Sequence, residues 1–430
     1  MVTTMLFGLF ALLLLLGAPI ATCLGMSSVA AMIALGAGRS LDVVLGTVPQ
    51  LVSAAITKSV LMAIPFFILG GNIMEKSGIS SRLINLAQAC VGHFKGGVAM
   101  VCVLVACFFA AISGSGPATV AALGLILIPA MIEVGYKPAF AAGLMATAGA
   151  IGVIIPPSIT FVVYGSISDV SIGDLFISGV IPGLLMGAAL ILITLWLGRK
   201  TNLKLLPRAS WKERWAAFKE AFWGLLMPVI ILGGIYGGIF TPTEAAAVSA
   251  VYGLFVGLFI YRSLSLRDMK KILIDSASTT AVVMLITAAA SLFAYVLTRA
   301  RIDVAISSAL ETFAGGNTVV FLIIVNVCLL IAGCFLDSTS ALYIFTPLFL
   351  PVAQALGMNL VHFGTIMIVN LAIGLVTPPV GVNLYVACGI ANIDLKTISK
   401  AVVPLILASL VVLLLVTYVP QLSLALLGGA

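Results

Sequence analysis

Residues 150–157 read AIGVIIPP and residues 372–379 read AIGLVTPP. The two stretches share Ala150/Ala372, Ile151/Ile373, Gly152/Gly374, Pro156/Pro378 and Pro157/Pro379, each pair 222 residues apart. Pro129 with Pro351 and Pro182 with Pro404 keep the same offset. A Pro-Pro pair after glycine removes backbone donors and clashes with the preceding turn, so it breaks a helix. Inside a bilayer such a break survives only where it is buried in protein or lines a polar cavity. Broken helices at matching positions of two halves are the strongest sequence pointer to a transporter's binding site.

The chain around them is that of an integral membrane protein. It is 62% hydrophobic and only 8% charged, with mean hydropathy +1.28, against about 25% charged residues in soluble domains. Apolar runs of about 20 residues recur from end to end, so the spans are helices rather than barrel strands. The first run, Leu6 to Gly25, lacks a basic start and reads as a first span rather than a cleaved signal. The net charge of +7 follows from an excess of Lys and Arg on one side of the membrane and requires no nucleic acid. The seven cysteines lie in apolar stretches without CxxC spacing and read as packing residues. His93 and His362 stand alone, which argues against a His-based metal site.

The densest charge run, Arg199 to Glu220, divides the chain. With that run in the cytoplasm, the first half holds spans at roughly 5–23, 25–38 and 59–75, a hairpin at 96–134, a broken helix at 139–166 and a span at 176–198. The second holds spans at roughly 222–240, 244–261 and 276–298, a hairpin at 317–355, a broken helix at 362–391 and a span at 401–425. The map puts 17 of the 21 Lys and Arg inside and leaves Arg39, Lys58, Arg299 and Arg301 outside. Residues 1–198 then form one repeat, 199–221 a cytoplasmic connector and 222–430 a second repeat. The first repeat starts outside and ends inside, and the second does the reverse, so the repeats are inverted. Hairpin 96–134 re-enters from the cytoplasm and 317–355 from outside. Residues 40–57 and 82–94 read as amphipathic connectors at the interface. The Arg199 to Glu220 run, with Trp211, Trp215 and Trp223, reads as an amphipathic helix anchored there. The expected fold is an all-α polytopic membrane protein of inverted repeats, each with a re-entrant hairpin and a broken helix.

The chemistry concentrates at the hairpin tips and the breaks. The first tip is ISGSGPAT, Ile112 to Thr119. Ser113 and Ser115 supply hydroxyls, Gly114 and Gly116 permit unusual dihedrals, and Pro117 suits the first turn of a returning helix. Carbonyls, amides and two hydroxyls together suit a desolvated hard cation; a tight turn with a Ser cap is the bland alternative. The facing break, Gly152 to Ser158, frees carbonyls around Gly152 and Ile155 at the negative end of a half-helix. The second tip is LDSTSA, Leu336 to Ala341, with Asp337 aligned to Ser115. A carboxylate at bilayer depth costs about 2.5–3.5 kcal/mol and is functional by default, though Asp337 also suits a helix cap. The second break, Gly374 to Gly381, adds the Thr377 hydroxyl, with Asn383 just beyond. Arg299 and Arg301 either snorkel to headgroups or meet an anionic substrate, since guanidinium grips a carboxylate bidentately; Arg299 is the better placed. Arg299, Ser158 and Asn383 are the candidate substrate contacts. In TPTEAAA, Thr241 to Ala247, Thr243 with Glu244 reads as a structural helix cap.

The tips ISGSGPATVAAL and LDSTSALYIFTPLFLP, the breaks GVIIPPS and GLVTPPVGVN, the TPTEAAA turn and the early GAPIA resemble the large membrane subunit of TRAP transporters, the tripartite ATP-independent periplasmic transporters. The resemblance covers essentially the whole chain. It implies a sodium-driven secondary transporter of a bacterial cytoplasmic membrane, an elevator of the ion-transporter superfamily with no cofactor beyond its coupling ions. It implies two partners: a small membrane subunit of about four helices, as a separate chain, and a soluble periplasmic substrate-binding protein. The substrate would be an organic acid, such as a sialic-type sugar acid or a four-carbon dicarboxylate. By motif, one sodium site would use Ser113, Ser115, Gly152, Ile155 and Pro157. The other would use Asp337, Gly374, Thr377 and Pro379, and Arg299 would bind the substrate carboxylate. A stand-alone sodium–carboxylate symporter of the same superfamily is the alternative. With no paired catalytic constellation, an intramembrane enzyme is disfavoured.

Overall fold

A computed structural model describes residues 2–37, 40–199 and 203–428; Arg39 and Lys200 of the charge map lie outside them. Among the described residues every regular element is a helix. Helices α1 (Val2–Leu15) and α2 (Ile20–Leu35) are separated by Gly17, at φ +78°, and by Pro19, which caps α2. The first break therefore falls where glycine reaches a left-handed conformation, not near residue 24 as expected. Next come α3 (Leu41–Leu45), α4 (Thr47–Ile56), α5 (Ala63–Lys76) and α6 (Ile79–Val91). The first hairpin is α7 (Gly97–Ser113) with α8 (Gly116–Glu133). The first broken helix is α9 (Pro138–Ala150) with α10 (Ile159–Ser168), and α11 (Ile172–Gly198) follows.

The second half opens with α12 (Trp211–Tyr236), α13 (Pro242–Phe255), α14 (Leu266–Arg299) and α15 (Ile302–Ala314). The second hairpin is α16 (Thr318–Gly333) with α17 (Ser338–Ala355). The second broken helix is α18 (Leu360–Gly374) with α19 (Val382–Ala391), followed by α20 (Leu395–Tyr418) and α21 (Gln421–Leu424). Three expectations are corrected here. The amphipathic helix expected over Arg199 to Glu220 and the span expected from 222 are one helix, α12. It starts at Trp211, where Ser210 and Glu213 form a reciprocal cap, and no glycine or proline interrupts it before Gly224. The span expected at 276–298 belongs to a 34-residue helix, α14, that begins at another reciprocal cap, Ser265 with Asp268. The cap of α13 is Thr241, not Thr243: Thr241 and Glu244 bond each other's backbone amides, with Pro242 between them.

The helices pack as two bundles. In one, α2 and α5 lie on α14, α13 on α5, and α12 joins α6 to α13. In the other, the hairpins, the broken helices, α11 and α20 surround the two breaks. The second bundle is built reciprocally. Helix α10, beyond the first break, packs on α17 of the second hairpin, and α19, beyond the second break, packs on α8 of the first. Likewise α9 packs on α20 and α18 on α11. Even the ends of α10 and α19 match, with Asp169 at φ +55° and Asn392 at φ +51°, residue types that tolerate the left-handed region. The bundles touch where α5 and α6 meet α7, and where α14 meets α17.

Candidate functional site

Each hairpin tip abuts the break of its own half, and glycine makes the approach possible. At the first tip a Cβ on Gly152 would lie 2.9 Å from the Ser115 carbonyl oxygen and 2.7 Å from Thr119 Oγ1. Gly114, at φ +61°, ends α7, and a Cβ there would lie 2.8 Å from the Pro157 carbonyl oxygen. The Ile159 amide reaches back to the Gly114 carbonyl at 3.4 Å. Ser113, Ser115, Gly152 and Pro157 thus converge. Ile155 lies in the same sealed turn, its amide donating to the Ile151 carbonyl and its side chain seated against Gly183.

The hydroxyls at this tip are linked. Ser113 Oγ shares a 2.7 Å hydrogen bond with Thr119 Oγ1 and lies 3.2 Å from the Ser115 carbonyl, to which Thr119 Oγ1 also donates at 2.8 Å. Thr119 was not among the residues picked from sequence. Its signal was the spacing, four residues beyond Ser115, which returns a hydroxyl to the Ser115 carbonyl one helical turn on.

At the second tip Gly333 and Gly374 meet backbone to backbone. A Cβ on Gly374 would lie 2.6 Å from Gly333 Cα and 3.0 Å from its carbonyl oxygen. The Val380 and Gly381 amides donate to the Cys334 carbonyl at 3.2 and 3.4 Å. Asp337 caps α17, its carboxylate accepting from the Ser340 amide at 3.1 Å and from the Ser340 hydroxyl. Thr377 Oγ1 donates to the Ile373 carbonyl at 2.8 Å. The two breaks differ in exposure. Residues 151–160 are all buried, whereas Thr377 and Pro378 are half-buried and Pro379 is exposed.

The three candidate substrate contacts are not brought together. Ser158 is fully buried, donating to the Val153 carbonyl at 2.6 Å and bonded to Thr160 Oγ1 at 2.7 Å. Asn383 is fully buried between the halves; its amide nitrogen donates to the Ala146 carbonyl at 3.0 Å, and its atoms would lie 3.2 Å from a Cβ on Gly116. Arg299 stands apart at the exposed end of α14, lining a small cavity with Leu35, Val44, Thr47 and Tyr295. Outside the helices, Asp394 caps α20 by accepting from Thr397 Oγ1 and the Thr397 amide, and these hydrogen bonds hold its carboxyl below the ordinary aspartate value of 3.8.

The family described as "Tripartite ATP-independent periplasmic transporter, DctM component" matches residues 7–422. The chain belongs to this family. It is 48% identical over 366 residues to the C4-dicarboxylate TRAP transporter large permease protein DctM of Pseudomonas aeruginosa, covering 85% of this chain and 86% of that protein. It is 40% identical over 366 residues to the sialic acid TRAP transporter large permease protein SiaM of Vibrio cholerae, covering 85% and 86%. Identity to the isethionate TRAP transporter permease protein DctMQ of Oleidesulfovibrio alaskensis is 46% over 424 residues; there the chain spans 96% of its own length but 65% of that protein's. A crystal structure of the YdaH transporter of Alcanivorax borkumensis, described as having an unusual topology, superposes with a TM-score of 0.67 over 93% of this chain and 97% of that one. At 15% identity that likeness speaks for the fold alone. As a TRAP large permease the chain is a protein of the bacterial inner membrane and not an enzyme. Among the described residues seven helices are long and apolar enough to cross a bilayer.

Proposed function

We propose that this chain is the substrate-translocating subunit of a sodium-driven uptake system for an organic acid, working with a small membrane subunit and a periplasmic binding protein. The observation that carries the reading is the duplicated contact between hairpin tip and broken helix. In the first half the Pro157 carbonyl lies against Gly114, in a tip that offers the oxygens of Ser113, Ser115 and Thr119. In the second the break packs through Gly374 on Gly333 and bonds the Cys334 carbonyl through the Val380 and Gly381 amides, next to a tip that carries the Asp337 carboxylate. Hard cations are held by such oxygen sets. One sodium ion is assigned to Ser113, Ser115, Gly152, Ile155 and Pro157, the other to Asp337, Gly374, Thr377 and Pro379. The division at 199–221 separates two inverted repeats, so one hairpin opens inward and the other outward. The bundle of hairpins and broken helices moves as an elevator against the other bundle.

The names of the relatives, isethionate, C4-dicarboxylate and sialic acid, support an organic anion as cargo. Arg299 is proposed to take a carboxylate bidentately, and Ser158 and Asn383, both buried within the bundle of hairpins and broken helices, to meet the substrate only when that bundle itself rearranges. Reconstitution with the small subunit and a panel of binding proteins, measuring uptake with and without a sodium gradient, tests the reading. Uptake should rise with sodium more steeply than linearly and should require the binding protein. Equal uptake in sodium-free buffer without a proton gradient would overturn the coupling. Full uptake without any binding protein would favour a stand-alone symporter. Arg299→Ala and Arg299→Lys should both cut uptake while leaving assembly intact; normal uptake by Arg299→Ala would return that residue to an interfacial flank.

A further inference from the structure

Lys58 takes no part in either tip–break contact. It follows α4 on the first bundle, and its Nζ donates a 2.7 Å hydrogen bond to the Ser166 carbonyl. That carbonyl belongs to the last turn of α10, beyond the first break and on the other bundle. Among the described residues this is the amine's one hydrogen-bond partner, although an ammonium carries three donors.

Two cavities meet at Lys58. The first has a volume of about 320 Å³ and lies between α4 and α14 on one bundle and α10 and α17 on the other. Its polar groups besides Lys58 are Ser166, Thr287, Ser291 and Tyr343, and its other lining residues are apolar. Tyr343 Oη donates to Thr287 Oγ1 at 3.0 Å, joining α17 to α14 across the cavity wall. The second cavity, about 740 Å³, shares Lys58 and Ser166 but also carries Asp169 and Glu244. The charges sort the two. The larger space holds two carboxylates against one ammonium and does not attract an anion. The smaller holds Lys58 as its sole charged residue, with hydroxyls and apolar walls, and its size falls at the low end of the roughly 300–1,000 Å³ of small-molecule sites. An anion there touches both bundles at once, which a ligand that couples their motion has to do.

We propose that the smaller cavity binds the transported anion and that Lys58 supplies the charge for one of its carboxylates, exchanging the Ser166 carbonyl for it. The cavity adjoins the one lined by Arg299 along α4 and α14, with Ala294 lining one and Tyr295 the other. The inference rests on the reading of the chain as an organic-acid permease, and it makes residue 58 a determinant of which acid is carried.

The test uses the full chain in lipid nanodiscs, with the seven native cysteines replaced and Ser291→Cys as reporter. Succinate, its monoamide and its diamide are the probes, and protection of the thiol from a neutral maleimide is the readout. Succinate should protect the parent, the monoamide less well and the diamide not at all. A charge-assisted hydrogen bond is worth about 1.5–3 kcal/mol, so Lys58→Gln should need roughly ten- to a hundredfold more succinate, while Lys58→Arg should keep most of the protection. Ser291→Leu, tested by direct succinate binding, fills the cavity without touching the charge and should also abolish binding. Protection of Lys58→Gln at parental succinate would overturn the inference, as would no protection of the parent by any sugar acid or dicarboxylate. Sodium-driven uptake measured in parallel separates the two readings. Uptake that persists while Lys58→Gln behaves as parent sinks only the role of Lys58; absence of sodium-driven uptake in the parent sinks the permease reading itself.

Discussion

Gly374→Ala tests the second tip–break contact with a single methyl group. That methyl would lie 2.6 Å from Gly333 Cα, 2.8 Å from its carbonyl carbon and 3.0 Å from its carbonyl oxygen. Carbon atoms pack at about 3.5–4.0 Å, so α16 has to retreat from α18 by roughly 1 Å. The obstacle is backbone, not a side chain that can swing away. The retreat also lengthens the 3.2 and 3.4 Å hydrogen bonds from the Val380 and Gly381 amides to the Cys334 carbonyl. Overpacking of this kind costs about 1–3 kcal/mol, and the weakened hydrogen bonds place the expectation near the upper end. Gly389 is the control, because a Cβ there meets nothing within 4 Å; Gly389→Ala should be neutral or stabilising by about 0.5–1 kcal/mol. The assay is the thermal midpoint of the purified protein in detergent across a sodium titration. Gly374→Ala should unfold at lower temperature, and sodium should stabilise it less than the parent, since ions that bind only the native state raise stability by mass action. A Gly374→Ala protein with parental midpoint and parental sodium response would refute the close contact and the ion site built on it.

Ser115→Ala and Asp337→Ala should each raise the sodium concentration needed for half-maximal uptake. Asp337→Asn separates the two roles of that carboxylate: asparagine caps as well as aspartate, so it should keep stability while sharing the raised sodium requirement. For Asp394, whose folded carboxyl is held below 3.8, the stabilisation is complete above that value and fades as the pH falls through the lower folded one. The midpoint difference between parent and Asp394→Ala should accordingly be present at neutral pH and shrink in acid, and a constant difference down to pH 3 would exclude a charge-dependent cap. Single cysteines at positions 115 and 337 should change accessibility in opposite phases as sodium, substrate and binding protein are added; simultaneous labelling from both sides would indicate a channel-like pore.

The breaks and tips were legible because their signals are local. Pro156–Pro157 and Pro378–Pro379 interrupt a helix whatever surrounds them, and Gly114 ends α7 by its own conformation. Boundaries drawn from composition fared worse. The passage from the charged segment at 211–220 into the apolar one after 221 changes solvent, not backbone, so α12 runs straight through it. The partners of the second break were hidden for another reason. The Cys334 carbonyl carries no side-chain signal, and its place against Val380 is set by the close pairing of Gly333 with Gly374. Lys58 was counted among the outer cations but given no role beside Arg299, since sequence ranks cations by chemistry, whereas only the fold tells which one stands between the two bundles.

The difference between the two breaks follows from their reciprocal construction. Each helix beyond a break leans on the opposite hairpin, α10 on α17 and α19 on α8. A displacement that tightens one of these pairs in its half therefore acts on the hairpin of the other. Here the first break is sealed, with residues 151–160 all buried, while Thr377 to Val380 of the second are half-buried or exposed. A rigid, symmetric body would bury both equally. Packed interfaces switch between discrete arrangements rather than deforming continuously, so under the elevator proposed above one sealed and one open break would stand at one end of its cycle. On the proposed reading of the halves as inverted repeats, the opposite arrangement would use the same motif in the other half.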